Sequence, residues 1–256
     1  MKIKYKYSLK RFFKKIKQHA DMKYYSQYCQ DFFIDILLKK KENGVFLDIG
    51  ANDGVSFSNT YFFEKERNWT GLCVEPHIDI FEICKKKRSC NLENCCITDQ
   101  ERTVTFRKIT GADMLSGIVE YMDKNALERI EDHIKEDGGS YVDVKIESCN
   151  INKLIDKYNI NKIDFCSIDV EGAELEIVKS INFQKNDITS FAIEGNNEEL
   201  IQFLKEKGYI AIPSENDIFY IKKGTKRIAL LSLYVKTYVL DWKIWRHLPK
   251  WLKRKR

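Results

Sequence analysis

The stretch from Val45 to Val55, VFLDIGANDGV, constrains the fold of this chain more than any other. Val45, Phe46, Leu47 and Ile49 form the short apolar run of a parallel strand covered on both faces. Gly50 and Gly54 then permit a sharp turn and a close approach of the backbone to a ligand, because neither has a Cβ. Strand, ligand-binding loop and helix start together read as the opening unit of a Rossmann-like α/β sheet.

The loop chemistry narrows the ligand. A dinucleotide loop carries GxGxxG, with the pyrophosphate on backbone N–H groups and no fixed negative charge beside it. This loop lacks that spacing and places Asp48 at the end of its strand. S-adenosylmethionine has no phosphate, and a loop carboxylate can orient its sulfonium and α-ammonium groups, so the residue types favour it over NAD. Phe57–Glu66 reads as the crossover helix and Gly71–Glu75 as the second strand. An acid at that strand tip can accept both ribose hydroxyls of an adenosine cofactor. The expected donor site is therefore Asp48, Gly50, Asn52, Gly54, Glu75 and Pro76. Asp99 follows a short third strand, Asn94–Ile97, and is either a contact to adenine N6 or an ordinary turn aspartate.

Farther on, Ile163–Asp169 reads as the fourth strand and ends in Asp169-Val-Glu171-Gly172, where open α/β sheets bind ligands. Two carboxylates two residues apart share one side of an extended segment. They can hold a substrate hydroxyl, a metal ion or the donor's cationic groups. Capping of the next helix, Ala173–Ser180, by Asp169 is the plainer reading, but it leaves Glu171 and Gly172 unexplained. The fifth strand, Ile188–Glu194, contributes a third acid, Glu194. Asp169 is the expected base or substrate-orienting acid, with Glu171 and Glu194 in support. As a metal ligand Asp169 has no second ligand set visible in the sequence. The tetrapeptide DVEG is not of the (D/N)PP(Y/F) type, which weighs against methylation of exocyclic amines on bases.

Several ordered motifs now carry a resemblance: DIGANDG followed by SNTYFFEK, then WTGLCVEP, LSGI at Leu115–Ile118, and IDFCSIDVEGAELEIVK at Ile163–Lys179. Between about Val45 and Ile221 the chain resembles the FkbM-type methyltransferases. The resemblance implies a class I fold, S-adenosylmethionine as cofactor and O-methylation of a sugar or glycan-like hydroxyl.

The expected architecture is a sheet of about seven mostly parallel strands flanked by helices, with basic N- and C-terminal helical extensions. Residues 1–43 form a basic segment and a helix, Asp31–Lys41, that covers the sheet edge. Residues 44–222 form the methyltransferase domain, completed by an antiparallel hairpin of Tyr209–Ile212 and Ile218–Lys222. Within it, 98–148 reads as a substrate-loop insertion: an alternating strand Thr103–Lys108, a glycine-bounded loop Gly111–Ile118 over the site, a charged helix 122–137 and a strand Tyr141–Glu147. Residues 223–256 form a basic, Trp-rich extension.

Charge is partitioned along the chain. Residues 1–20 carry eight Lys/Arg and no acid, and residues 222–256 carry twelve against Asp241 alone. Removing those +8 and +11 from a net charge of +6 leaves the middle at −13. An acidic body disfavours nucleic acid across the active site. Ile228–Leu240 is too short and too interrupted by Lys236 to span a bilayer. With Trp242, Trp245, Trp251 and the terminal KRKR it resembles an interfacial anchor for an anionic membrane, against the plainer reading of a helix packed on the domain. The eight cysteines show no CxxC and no secretory h-region accompanies them, so reduced thiols in a cytoplasmic protein, peripheral on a membrane through its tail, are expected. Histidine spacing offers no zinc site. Two rivals stand beside the glycan O-methyltransferase: an RNA-directed methyltransferase using the tails as basic arms, and a non-catalytic adaptor on a retained fold.

Overall fold

The computed structural model describes residues 23–229 and Ser232. Helix α1 (Gln30–Leu37) precedes β1 (Val45–Ile49), α2 (Tyr61–Arg67), β2 (Thr70–Val74), α3 (Ile78–Lys87) and β3 (Asn91–Glu93). A second group follows: β4 (Cys96–Thr98), β5 (Thr103–Thr110), β6 (Gly117–Ile118), α4 (Lys124–Asp137) and β7 (Ser140–Asn150). The chain then runs through α5 (Ile151–Lys157), β8 (Lys162–Ile163), β9 (Phe165–Ile168), α6 (Glu174–Ser180), β10 (Asp187–Ile188), β11 (Ser190–Glu194), α7 (Glu198–Glu206), β12 (Tyr209–Pro213) and β13 (Asp217–Lys222).

The main sheet has the order β12-β13-β11-β9-β1-β2-β3 and is mixed. Its strands from β11 to β3 are parallel, and β13 pairs antiparallel with both β11 and β12. Strand alternation divides the core. Leu47, Ile49, Leu72, Val74, Cys166, Ile168, Phe191 and Ile193 face α5, α6 and α7. Phe46, Cys73, Phe165, Ala192 and Phe219 face α1 and α2.

Several boundaries differ from the sequence reading for local reasons. Helix α1 stops at Leu37 because Lys39 and Lys40 both take left-handed backbone. It lies across a sheet face, not the sheet edge, with all eight of its residues buried. The first crossover helix starts at Tyr61, since Phe57 is left-handed and the Ser58 hydroxyl accepts the N–H groups of Thr60 and Tyr61. The third strand of the main sheet is Asn91–Glu93, ahead of the expected Asn94–Ile97. Cys96–Thr98 instead leaves that sheet to pair with Ser148–Asn150 of β7.

The segment from β4 to β7 forms a separate four-stranded sheet of order β4-β7-β5-β6, in which β5 and β7 pair antiparallel from Thr103↔Glu147 to Thr110↔Ser140. Its small core of Cys96, Val104, Phe106 and Ile118 sits beside the main one. No helix of the described residues is long and apolar enough to cross a membrane. The N-terminal basic segment through residue 22 and nearly all of the Trp-rich extension lie outside the described residues.

Candidate active site

Two clefts open at the C-terminal ends of the parallel strands. The first is floored by the loop after β1 and walled by the ends of β2 and β9, and the second group closes it with Phe106 and the segment Asp113–Ile118. Gly50 sets its floor. It has φ +86, and a Cβ there would come within 1.7 Å of the Asp169 carbonyl oxygen, so only glycine lets the two strand ends meet this closely. The close approach is thus to Asp169 as well as to the cleft.

Glu75 stands at the tip of β2 and lines this cleft with Pro76 and Asn52. Its two carboxylate oxygens accept the N–H groups of Asn52 and His77, each at 2.8 Å. Burial pushes its carboxyl up to about 7 against those two donors, with Asp48 and Asp113 adding repulsion. Asp113 lines the same cleft, from a short 3-10 turn of the overlying loop. No single side chain of that loop stands out in the sequence beyond its glycine boundaries, so its Asp113 goes unnoticed there.

Three expected donor-site residues lie elsewhere. Asp48 is inside β1, on the face opposite Leu47 and Ile49, and does not line the cleft. It is buried, accepts a 2.5 Å hydrogen bond from the Thr60 hydroxyl and sits 3.6 Å from the Arg88 guanidinium. Burial raises its carboxyl above the ordinary range, and Arg88 opposes the shift. Gly54 serves that same network: its carbonyl accepts from Arg88, and a Cβ would meet Arg88 and Cys84 at 2.7 Å. Asp99 turns its carbonyl to Asn150 and is absent from the cleft lining. Cys95, Cys96, Ile97 and Phe106 supply that wall.

The second cleft lies between α4 and the starts of α6 and α7. Glu171, Gly172, Glu194, Tyr121, Asn125, Arg129 and Asn197 line it. At the border between the clefts, Asp169, Glu171 and Glu194 place carboxylate oxygens within 4.8 Å of one another. They do so through a turn, not the extended segment the sequence suggests, since Glu171 takes φ +60 and Gly172 φ +124. Glu174 fixes the turn by accepting the N–H groups of Val170 and Gly172. A Cβ on Gly172 would meet the Tyr121 carbonyl at 2.5 Å, so the turn packs directly on the second group of strands. Asp169 does not cap α6, whose N-terminal residue Ala173 has no side-chain cap.

Asp169 is reached by solvent through the cleft although protein surrounds it. Desolvation and the facing Glu194, with which it shares a hydrogen bond, hold its carboxyl well above the usual range. The Glu194 carboxylate is the firmer cause, because water still reaches Asp169. Glu171 is pushed up to about 7 by burial and Glu194, against its ion pair with Arg129 from α4. Arg129 lies among the alternating charges of a long helix, and nothing in the sequence marks it. Three oxygens this close are also a set that a hard divalent cation can use, two more than Asp169 alone offers.

The first cleft fits S-adenosylmethionine in kind. Among the described residues no Lys, Arg or His lines it, whereas Glu75, Asp113 and Asp169 do. A pyrophosphate would meet three carboxylates there with no lining cation to offset them, and a sulfonium cation would find partners.

Among solved structures, the chain is similar to the human methyltransferase 10 domain containing protein at 16% identity and TM-score 0.35, over 74% of this chain and 77% of that one. The METTL16 MTase domain matches at 13% identity and TM-score 0.37, over 74% and 63%. Precorrin-6y C5,15-methyltransferase from Geobacter metallireducens GS-15 matches at 11% identity and TM-score 0.31, over 76% and 86%. No curated protein matches the sequence. The family described as the methyltransferase FkbM domain matches residues 48–211, which take in the end of β1, both clefts and the three converging acids, and the chain belongs to that family.

Proposed function

We propose that this methyltransferase uses S-adenosylmethionine to methylate a hydroxyl oxygen of a sugar or glycan-like acceptor. The observation that carries the reading is the convergence of Asp169, Glu171 and Glu194 where the two clefts meet. In the first cleft Glu75 would hold the ribose diol, and Asp113 offers an acceptor to the adenine amine in place of Asp99. Gly50 and Asn52 would supply the backbone floor.

When bound, the donor supplies an electrophilic methyl group on a sulfonium. The chain's own residues must hold the acceptor oxygen about 3 Å from that carbon and exclude water. A sugar hydroxyl is a weak nucleophile until its proton is taken. Asp169 would take that proton as the methyl group passes to the oxygen, and Glu194, hydrogen-bonded to it, would share the proton. Glu171, held by Arg129, orients the acceptor. The acid-rich lining supports an acceptor without phosphates over RNA.

Calorimetric titration with S-adenosylmethionine and, separately, NAD tests the donor half. Micromolar binding of the methyl donor alone, lost in Glu75→Ala and kept in a folded Asp48→Asn variant, is the expected result. Comparable binding of NAD would overturn it. Attachment to an anionic membrane through residues 223–256 belongs to the same proposal. Equal vesicle cosedimentation of the full chain and a 1–222 truncation would remove it.

A further inference from the structure

Both ends of the described chain are fastened to one helix. Ahead of α1, the Tyr24 ring stacks on Phe62 at 4.3 Å and meets Phe32 edge-on at 5.2 Å, and its hydroxyl donates to Asp35 at 3.0 Å. Beyond β13, the Arg227 guanidinium donates to the Ile36 carbonyl at 3.1 Å, and Ile228 packs on the same core as Tyr24. Asp35 and Ile36 are consecutive residues of α1, so residues 1–22 and 229–256 both start from beside the C-terminal half of this helix.

The helix also fixes which end of the molecule this is. Its first residue, Gln30, donates at 2.6 Å to Asp217, the cross-strand partner of Glu194 at the cleft end of the sheet. Past its other end, Lys41 pairs at 2.6 Å with Asp164, just ahead of the first residue of β9. The corner that holds both chain ends is therefore at the end of the sheet away from the clefts. It is basic in its own right: Lys39 and Lys40 follow α1, Lys23 and Lys226 adjoin the two anchoring residues, and all four are exposed. None of the four is in an ion pair among the described residues. Two acids here already have a cation, since Asp35 lies 2.8 Å and Glu42 3.8 Å from the Arg67 guanidinium.

The segments that start from this corner carry the same sign. Residues 1–22 hold eight Lys/Arg against Asp21, and residues 229–256 hold eight against Asp241. These cations are interleaved with Leu9, Phe12, Phe13 and Ile16 in the first segment and with Trp242, Trp245 and Trp251 in the second. A polyanion in water engages cations and rings but offers aliphatic side chains nothing, whereas a phospholipid surface takes up both. Ala229 to Leu240, with Lys236 as its single charge, favours lipid.

We infer that this corner docks on an anionic phospholipid surface, with residues 1–22 and 229–256 engaging one bilayer together and the acidic clefts held away from its negative field. The inference extends the attachment through residues 223–256 given above and rests on it.

The test uses the full chain and cosedimentation with vesicles of phosphatidylcholine, alone or with about one-third phosphatidylserine. The protein should bind the anionic vesicles at least about tenfold tighter. One variant neutralises the first segment (Lys10→Gln, Arg11→Gln, Lys14→Gln, Lys15→Gln) and another the second (Lys253→Gln, Arg254→Gln, Lys255→Gln, Arg256→Gln). Segments that engage one bilayer together multiply their effects, so each variant should lose about tenfold or more. Segments that attach separately leave each other's binding intact, so a loss of no more than about twofold in each variant would overturn the inference. Lys39→Gln with Lys40→Gln should cost about threefold or more at an unchanged thermal midpoint, and no loss would overturn docking through this corner. A loss confined to the variant at 253–256 overturns the joint surface and leaves attachment through residues 223–256 standing. Protein indifferent to phosphatidylserine overturns both. Single-stranded RNA that displaces the vesicles at equal phosphate concentration assigns the corner to a polyanion and overturns the choice of lipid.

Discussion

Asp48 lies within β1 and Asp169 just past the end of the neighbouring parallel strand β9, and the molecule uses them in opposite ways. Asp48 is surrounded by groups that satisfy it: the Thr60 hydroxyl donates to it, and Arg88, itself fully buried, lies beside it and pairs with Glu64 at 2.6 Å. Asp169 faces other carboxylates, with Glu194 sharing a hydrogen bond and Glu171 close by. An acid with its own cation is an arrangement that holds a fold together. Acids gathered against one another cost stability and persist where chemistry needs them.

Asp169→Asn is the substitution expected to separate the two most sharply. Removing a general base costs about 10²–10⁴-fold in rate. The carboxamide should also relieve repulsion with Glu194, so the thermal midpoint should hold or rise while methyl transfer collapses. Donor affinity, measured by calorimetry, should stay within severalfold of wild type. Unchanged turnover would remove Asp169 from the mechanism.

Arg88→Met is the converse. It leaves Asp48 and Glu64 without their cation, and breaking a buried pair from one side costs about 3–5 kcal/mol. At about 2–4 °C per kcal/mol for a chain of this size, the thermal midpoint should fall by on the order of 10 °C. Protein that still folds at low temperature should bind the donor with near-normal affinity. A specific loss of donor binding without loss of stability would return Asp48 to the binding site.

The sequence contains part of this division. Asp48 lies within the strand, where alternation assigns it to the face opposite Leu47 and Ile49. Asp169 falls one residue beyond β9 and escapes alternation, so it is free to turn into the cleft. Counting from the strand end would have distinguished them, but the end itself is fixed by pairing with β1 and β11. Arg88 lies 40 positions from Asp48, and no local pattern joins them. The strand and loop motifs around β1 are legible because apolar runs and glycines are local signals. The path of Cys96–Thr98 was not, because it depends on a partner at Ser148–Asn150 across the whole second group. Glu171 shows the limit most plainly: its left-handed backbone cannot be read from its residue type, yet that turn brings it to Glu194.

Glu75 lies between the two cases, since backbone N–H groups satisfy it and no cation among the described residues does. Its carboxyl is raised to about 7, and ribose hydroxyls need it ionised, so S-adenosylhomocysteine should bind roughly tenfold more weakly at pH 6 than at pH 8. Glu75→Gln should abolish that slope. The sign reverses for stability. The native state holds the proton more tightly than the unfolded chain, so this group's contribution is fully present below about 4.5 and is lost as pH rises through about 7. Donor binding and ligand-free stability should therefore move in opposite directions over this window, which calorimetry and thermal melts at matched pH would show.

Thr60→Val asks how finely the Asp48 network is balanced. The substitution keeps the side-chain shape and removes one 2.5 Å donor from Asp48, together with the acceptor that Arg88 uses at 3.0 Å. Leaving a buried acceptor short of one hydrogen bond costs about 1–3 kcal/mol. Arg88, only 3.6 Å away, can close on the vacated oxygen, so the loss should fall at the low end. Chemical denaturation should accordingly show a smaller drop than Arg88→Met, and the double variant should lose more than the sum, because Arg88 is then no longer there to close on Asp48. Strict additivity in that cycle would mean that Thr60 and Arg88 do not share Asp48, and the contrast with the Asp169 cluster would rest on Arg88 alone.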